Sequence, residues 1–219
     1  MTIQNDNLSE SEFGIFLDNA FKNANNLLKP GAAFYVWYAD SEAITFRKAL
    51  EQNELMIKQC LIWVKNHFNF GRQDYKWKHE PCLYGWKEGA AHYFVDEYNL
   101  PTIIEDRIEF EKLNKKQLRE MLEEIYKDKV ATTIIRENKP IINDLHPTMK
   151  PIKMCAELIK HSSKKGEIVL DLFGGSGSTL IACEQLDRVC YTMEYDPYYA
   201  DTIIQRWENF TGKKAVKLC

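Results

Sequence analysis

The stretch from Gly166 to Tyr198 narrows the folds open to this chain more than any other. Ile168, Val169 and Leu170 form a short, unbroken apolar run, as expected of a strand covered on both faces. The run ends at Asp171, and Gly174, Gly175 and Gly177 follow close behind. Such a turn lets backbone N–H groups approach a ligand where a Cβ would collide. Ser178 or Thr179 is expected to cap the next helix, whose apolar side is Leu180, Ile181 and Leu186. A second strand, Val189 to Met193, then ends in an acid, Glu194. Strand, glycine turn, helix, strand, acid describes half of a nucleotide-binding α/β sheet, with the ligand at the carboxyl ends of the strands.

Three ligands compete for such a turn. An NTPase phosphate loop needs a Gly-Lys-Ser/Thr ending, and no lysine stands there. A dinucleotide fingerprint needs a third glycine at position 180, which is Leu. What remains is a cofactor with a ribose and no phosphates, and S-adenosylmethionine fits that description. Glu194 is placed to accept bonds from both ribose hydroxyls. A tight turn with a purely structural purpose is the competing explanation, and the position of Glu194 weighs against it.

A chain of 219 residues suffices for one well-buried α/β domain with a small insertion. The net charge of −3 excludes a general polycation, so any nucleic-acid surface must be local. There is no leader-like N-terminal apolar run and no stretch of transmembrane length. A cytoplasmic protein without membrane contact is therefore expected. The six cysteines form no Cys-x-x-Cys pair. They read as reduced, buried thiols, and no metal site is expected.

Upstream, Ser9 and Glu12 form a capping-box pattern before a helix. Its apolar face runs from Phe13 to Leu28, and Lys29-Pro30-Gly31 stops it. Ala32–Tyr38 and Ile57–Val64 read as strands with a helix between them, Ser41–Gln52. This alternation points to parallel pairing with helices on both faces. From Lys65 to Pro81 the chain interleaves cations, amides and aromatics. Lys65, Arg72, Lys76 and Lys78 are candidates for nucleic-acid phosphates, and Tyr75 and Trp77 for stacking on an unpaired base, with His79 beside them as a further contact or an ordinary surface histidine. A polar surface loop between two strands is the alternative. Cys82–Trp86 returns as a strand. Residues 92–144 break the alternation, with an amphipathic helix over Glu109–Lys127 and a strand near Thr132–Arg136. The expected organisation is 1–91 and 145–219 as two halves of one domain, with 92–144 inserted between them. Pro197 starts a last helix that stops near Gly212, and Ala215–Leu218 would supply a short edge strand.

Asp171-Leu-Phe-Gly-Gly-Ser-Gly-Ser-Thr179, preceded by His146-Pro-Thr-Met-Lys-Pro151, resembles the cofactor half of a DNA amino-methyltransferase. The order of motifs is similar to the β-type group, and bacteriophage adenine-specific methylases are the nearest likeness. The likeness spans most of the chain except roughly residues 92–140. It implies a doubly wound, mostly parallel Rossmann-like sheet with permuted motif order, S-adenosylmethionine as cofactor and double-stranded DNA as partner. It implies cofactor contacts from Asp171, Phe173, Gly174, Gly175, Ser176, Gly177, Ser178 and Glu194. Thr148 and Lys150 would lie over the methionine end, and residues 92–144 would recognise the target.

The family's chemistry resides in an Asp/Asn/Ser-Pro-Pro-aromatic tetrad at a strand end, expected upstream of the Ser9 helix. Met1–Leu8 contain neither a strand-like run nor the tetrad. Tyr195-Asp-Pro-Tyr198 is no substitute, because Asp196 there reads as a helix cap. The sheet is therefore expected to lack one central strand, beside Ile168–Asp171, with an upstream segment or second chain supplying the tetrad. Three functions remain open: an N-terminally shortened exocyclic-amine methyltransferase, a protein that binds S-adenosylmethionine or DNA without methylating, and a different nucleotide-using enzyme of the doubly wound class.

Overall fold

The computed structural model describes residues 8–65, 74, 76–95, 134–136 and 149–218. Helix α1 spans Glu10–Leu27. Its capping box is closed: Ser9 Oγ accepts from Glu12 N at 3.3 Å, and Glu12 Oε2 accepts from Ser9 N at 2.9 Å. No basic residue stands in its last turn. Lys87 supplies that charge from a strand, donating to the carbonyls of Asn25 (2.6 Å) and Leu28 (3.0 Å).

Strand β1 (Ala33–Trp37) is followed by a 3₁₀ turn (Asp40–Glu42), helix α2 (Ala43–Gln52), β2 (Leu55–Val64) and β3 (His79–Lys87). Strand β4 (Ile134–Arg136) completes a four-stranded sheet of order β1-β3-β2-β4. Here the parallel pairing expected of the N-terminal strands needs correction. β3 lies between β1 and β2 and is antiparallel to both, whereas β2 and β4 are parallel. No helix intervenes between β2 and β3 among the described residues, so the chain reverses into the adjacent position, as a hairpin does.

Alternation along the strands gives the sheet two apolar faces. On one, Phe34, Val36, Leu55 and Leu83 pack with Leu17 and Phe21 of α1 and Ala49 and Leu50 of α2. On the other, Tyr35, Trp37, Cys82 and Tyr84 pack with Leu158, which belongs to α3 (Ile152–Ser162). Tyr35 Oη and Ser162 Oγ, 2.7 Å apart, fasten that helix to β1. A sheet covered on both sides is the doubly wound arrangement expected from the sequence.

The cofactor-type half follows: β5 (Ile168–Asp171), α4 (Ser178–Gln185), β6 (Val189–Thr192) and α5 (Pro197–Thr211). β5 and β6 pair in parallel, from Ile168 opposite Val189 to Asp171 opposite Thr192, and form a separate two-stranded sheet. Among the described residues, the second edge of β5 and the second edge of β1 carry no strand. Two contacts link the halves. In the N-terminal half of α1 the Phe16 ring lies 5.9 Å from that of Phe173, and just beyond the other end of α1 Lys29 meets Glu167 at 3.3 Å. Val189, Tyr191 and Met193, at period two along and just past β6, are all exposed, so one face of this small sheet is bare.

Residues 213–218 are irregular and exposed rather than an edge strand. The expected helix at Glu109–Lys127 and the target-recognition role of 92–144 fall almost wholly outside the described residues, as do Arg72, Tyr75 and Thr148.

Gly85 of β3 has no room for a side chain. A Cβ there would lie 2.1 Å from the Met56 carbonyl oxygen and 2.6 Å from Phe34 Cζ. Backbone cannot yield as a flexible side chain does. Gly85→Ala is expected to destabilise the fold by about 3 kcal/mol, read as a lower urea midpoint; an unchanged midpoint would contradict this packing.

Candidate functional site

The β5–β6 ladder continues past its strands into the glycine turn. Met193 N donates to the Asp171 carbonyl and Gly174 N to the Met193 carbonyl, both at 2.8 Å. Asp171 Oδ1 accepts from Phe173 N at 3.1 Å, turning the chain at the strand end. Gly174 sits where a Cβ would meet Thr192 Oγ1 at 2.6 Å and Ile203 Cδ1 at 2.8 Å. Gly175 and Gly177 have φ of 53° and 79°, in the left-handed region that glycine occupies without steric cost.

Helix α4 does not begin as expected. Gly177 is its N-cap, and neither Ser178 nor Thr179 caps it. Ser178 is the first helical residue, and its hydroxyl, buried beside Ser176, donates to the Lys150 carbonyl at 2.8 Å. Arg206 donates to the Ser176 carbonyl from α5. Asp196 behaves as the sequence indicates: its side chain caps α5 by accepting from Tyr198 N at 2.9 Å, with Pro197 opening the helix.

Glu194 closes the turn from β6. One carboxylate oxygen accepts from Gly175 N at 2.7 Å and the other from Asp196 N at 2.9 Å. Each oxygen has a second acceptor position, so this carboxylate is held in place with capacity left for hydroxyl donors. Phe173 (57% exposed) and Tyr195 (77% exposed) flank it with uncovered aromatic surface. Tyr195 and Met193 were not singled out from the sequence, although apolar residues on either side of a strand-ending acid are a legible signal. The geometry brings Asp171, Phe173, Gly174–Ser178 and Glu194 together at one sheet end, and Lys150 joins them through its carbonyl.

The proposed DNA-contacting set divides. Lys76, Trp77 and Lys78 are exposed, and the Trp77 and His79 rings meet edge-on at 5.4 Å. Lys65 is a correction. It is only 4% exposed, its Nζ lies 2.5 Å from Glu80 Oε1, and it sits 5.5 Å from the Trp63 ring centroid. A buried, paired ammonium does not serve as a surface phosphate contact. Glu80 Oε2 also meets Lys150 Nζ at 3.0 Å, and that ammonium lies 5.8 Å from the Trp37 centroid.

Among the described residues the cysteines are free thiols. Burial pushes the Cys155 thiol up to about 12, so it stays protonated at neutral pH and is a poor nucleophile.

Taken by fold and site, this is a Rossmann-like α/β unit with a glycine turn and an acid tethered to it. The DNA methylase model N6_N4_Mtase matches residues 1–206, and the chain belongs to that N6/N4 DNA methylase family. It is 23% identical over 212 residues to the type II methyltransferase M.BglII of Bacillus subtilis, covering 92% of this chain and 59% of that protein. The chain thus spans less than two thirds of that relative. In structure it is similar to M1.HpyAVI, solved as a SAM complex, with a TM-score of 0.64 at 23% identity, covering 88% of this chain and 82% of the other. It is also similar to the cytosine-N4-specific PvuII DNA methyltransferase, with a TM-score of 0.65 at 15% identity, covering 92% and 73%. These likenesses establish the Rossmann-like fold. No described helix is long and apolar enough to cross a membrane.

The Glu80 pairs yield a pH prediction. Burial raises the Glu80 carboxyl pKa, but Lys150 and Lys65 outweigh burial and hold it below its ordinary value of 4.5. A carboxylate whose folded pKa is depressed stabilises the fold fully above its unfolded pKa and loses that contribution as pH falls through the folded value. The melting-temperature gap between wild type and Glu80→Gln should therefore be constant near neutrality and shrink below about pH 4.5. A gap that widens on acidification would contradict the assigned pairing.

Proposed function

We propose that this chain binds S-adenosylmethionine at the carboxyl ends of β5 and β6 and forms the cofactor-carrying body of a DNA methyltransferase acting on an exocyclic amine. One observation carries the reading: Glu194 is pinned by Gly175 N and Asp196 N, immobile yet able to accept two more hydrogen bonds. Its oxygens would take the ribose hydroxyls, and the exposed faces of Phe173 and Tyr195 would border the adenine. The family match and the SAM complex of M1.HpyAVI support the same cofactor. Adenine N6 is favoured over cytosine N4 by the phage-methylase likeness alone, and the likeness to a cytosine-N4 enzyme leaves N4 as the alternative.

The bound cofactor supplies an electrophilic methyl on a sulfonium. An exocyclic amine is a weak nucleophile because its lone pair is delocalised into the ring, so positioning must supply most of the catalysis. The base has to leave the duplex to reach such a site. Lys76, Trp77 and Lys78 could hold backbone and stack beside it. The amine-holding tetrad has no counterpart here: the seven prolines include no Pro-Pro pair. We place the tetrad on a strand between β5 and β1, both of which lack a partner on that edge among the described residues. The polypeptide bearing that strand lies outside the described residues and would also cover the bare face of β6. The same lack of a Pro-Pro pair favours a second reading, a chain that binds S-adenosylmethionine or DNA without methylating.

Two measurements test these statements. Glu194→Ala is expected to weaken S-adenosylmethionine binding by about 1–3 kcal/mol in titration calorimetry, and equal affinity would remove the ribose assignment. Residues 1–219 alone should transfer no label from methyl-tritiated cofactor to unmethylated DNA, whereas robust transfer would show that the amine is held by residues already in this chain.

A further inference from the structure

The Glu80 triad lies off the glycine turn, yet it is tied to it by a short chain of contacts. Glu80 shares one sheet face with Cys82 and Tyr84, by the period-two alternation of β3. The Trp37 and Trp63 rings, 6.1 Å apart edge to face, end β1 and nearly end β2 beside it. Two ammonium groups converge on this single carboxylate, Lys65 at 2.5 Å and Lys150 at 3.0 Å. Lys65 comes directly after β2, while Lys150 leads through Pro151 into α3. The triad therefore joins the end of the large sheet to the turn before α3.

That turn holds the glycine loop. The carbonyl of Lys150 accepts from Ser178 Oγ at 2.8 Å. Ser178 follows the left-handed Gly177 directly, and its hydroxyl lies 3.4 Å from that of Ser176. Beyond the ladder bond at Gly174, the loop is pinned by Glu194 at Gly175 N, by Arg206 at the Ser176 carbonyl and by Lys150 at Ser178. The first two pins come from β6 and α5, within the small sheet's own half. Of these side-chain pins among the described residues, the third leads toward the four-stranded sheet, and it depends on where Lys150 stands.

We infer that Glu80 is a positioning residue for the cofactor loop, acting through Lys150 and Ser178 to fix the glycine turn against the large sheet. The chemistry fits this role. A carboxylate gripping two lysines from different segments sets a distance and direction that apolar packing does not, since truncating one partner leaves buried charge uncompensated. The two halves share no strand pairing among the described residues, so this polar link acts beside the α1 contacts and α3 packing in setting how the loop is presented to a ligand.

The inference rests on the S-adenosylmethionine reading above, and the test separates the two. Binding of S-adenosylhomocysteine is measured by calorimetry for wild type, Glu80→Gln, Ser178→Ala and the double variant, with cooperative melting as the folding check. Each single change should weaken binding about tenfold. The double variant should be no weaker than the weaker single, because both changes break one linkage. Should Glu80→Gln fail to melt cooperatively, Lys65→Met/Glu80→Gln, which leaves one ammonium facing a neutral amide, takes its place in the cycle. Wild-type binding with full affinity in the Glu80 variant, or with effects that multiply to about a hundredfold, overturns this inference alone. No binding by the wild-type chain overturns the cofactor reading and this inference with it.

Discussion

The hydrogen bond from Gly175 N to the Glu194 carboxylate, 2.7 Å long, is the contact on which the site depends. It exists because the β5–β6 ladder runs on through Met193 and Gly174, bringing a strand-ending acid against a turn that has no side chain in the way. A Cβ at Gly174 would strike Thr192 and Ile203, and one at Gly175 would have to adopt a left-handed conformation. The glycines are thus fixed by backbone geometry. Their placement leaves Glu194 as an anchored acceptor with capacity for further donors, the feature on which the proposed ribose contact rests.

The rest of the structure supports that contact from two sides. α5 is capped by Asp196, whose own N–H holds the second oxygen of Glu194, so the acid and the helix start fix each other. On the other side the Glu80–Lys150–Ser178 linkage ties the loop to the four-stranded sheet. The two sheets meet without strand pairing among the described residues. Aromatic contact at Phe16 and Phe173, the Lys29–Glu167 pair and α3 packing hold them instead.

The strand, turn and helix order of the C-terminal half was legible in the sequence, because most of its steps are local. A capping residue, a glycine turn and an acid at a strand end declare themselves within a few positions, and the capping box at Ser9 did the same for α1. What the sequence concealed was non-local. The antiparallel insertion of β3 is a choice of neighbour, and a run such as Cys82–Trp86 has the same pattern in either direction. Lys65 looked like a surface cation because its partner, Glu80, is fifteen positions away across a strand pairing, and a lysine's burial depends on that partner. The Ser178 hydroxyl was misread as a cap for the same reason: its acceptor, the Lys150 carbonyl, belongs to a different segment.

The proposed function requires the space beyond Asp171 and Glu194 to be shaped for the sugar of a sulfonium nucleoside. A crystal structure of this chain grown with S-adenosylhomocysteine tests it most directly. Both ribose hydroxyls are expected on the Glu194 carboxylate, with the adenine edge between Phe173 and Tyr195. A ligand seated elsewhere, or a Glu194 whose oxygens face protein groups alone while the nucleoside lies in the crystal at another site, would contradict it.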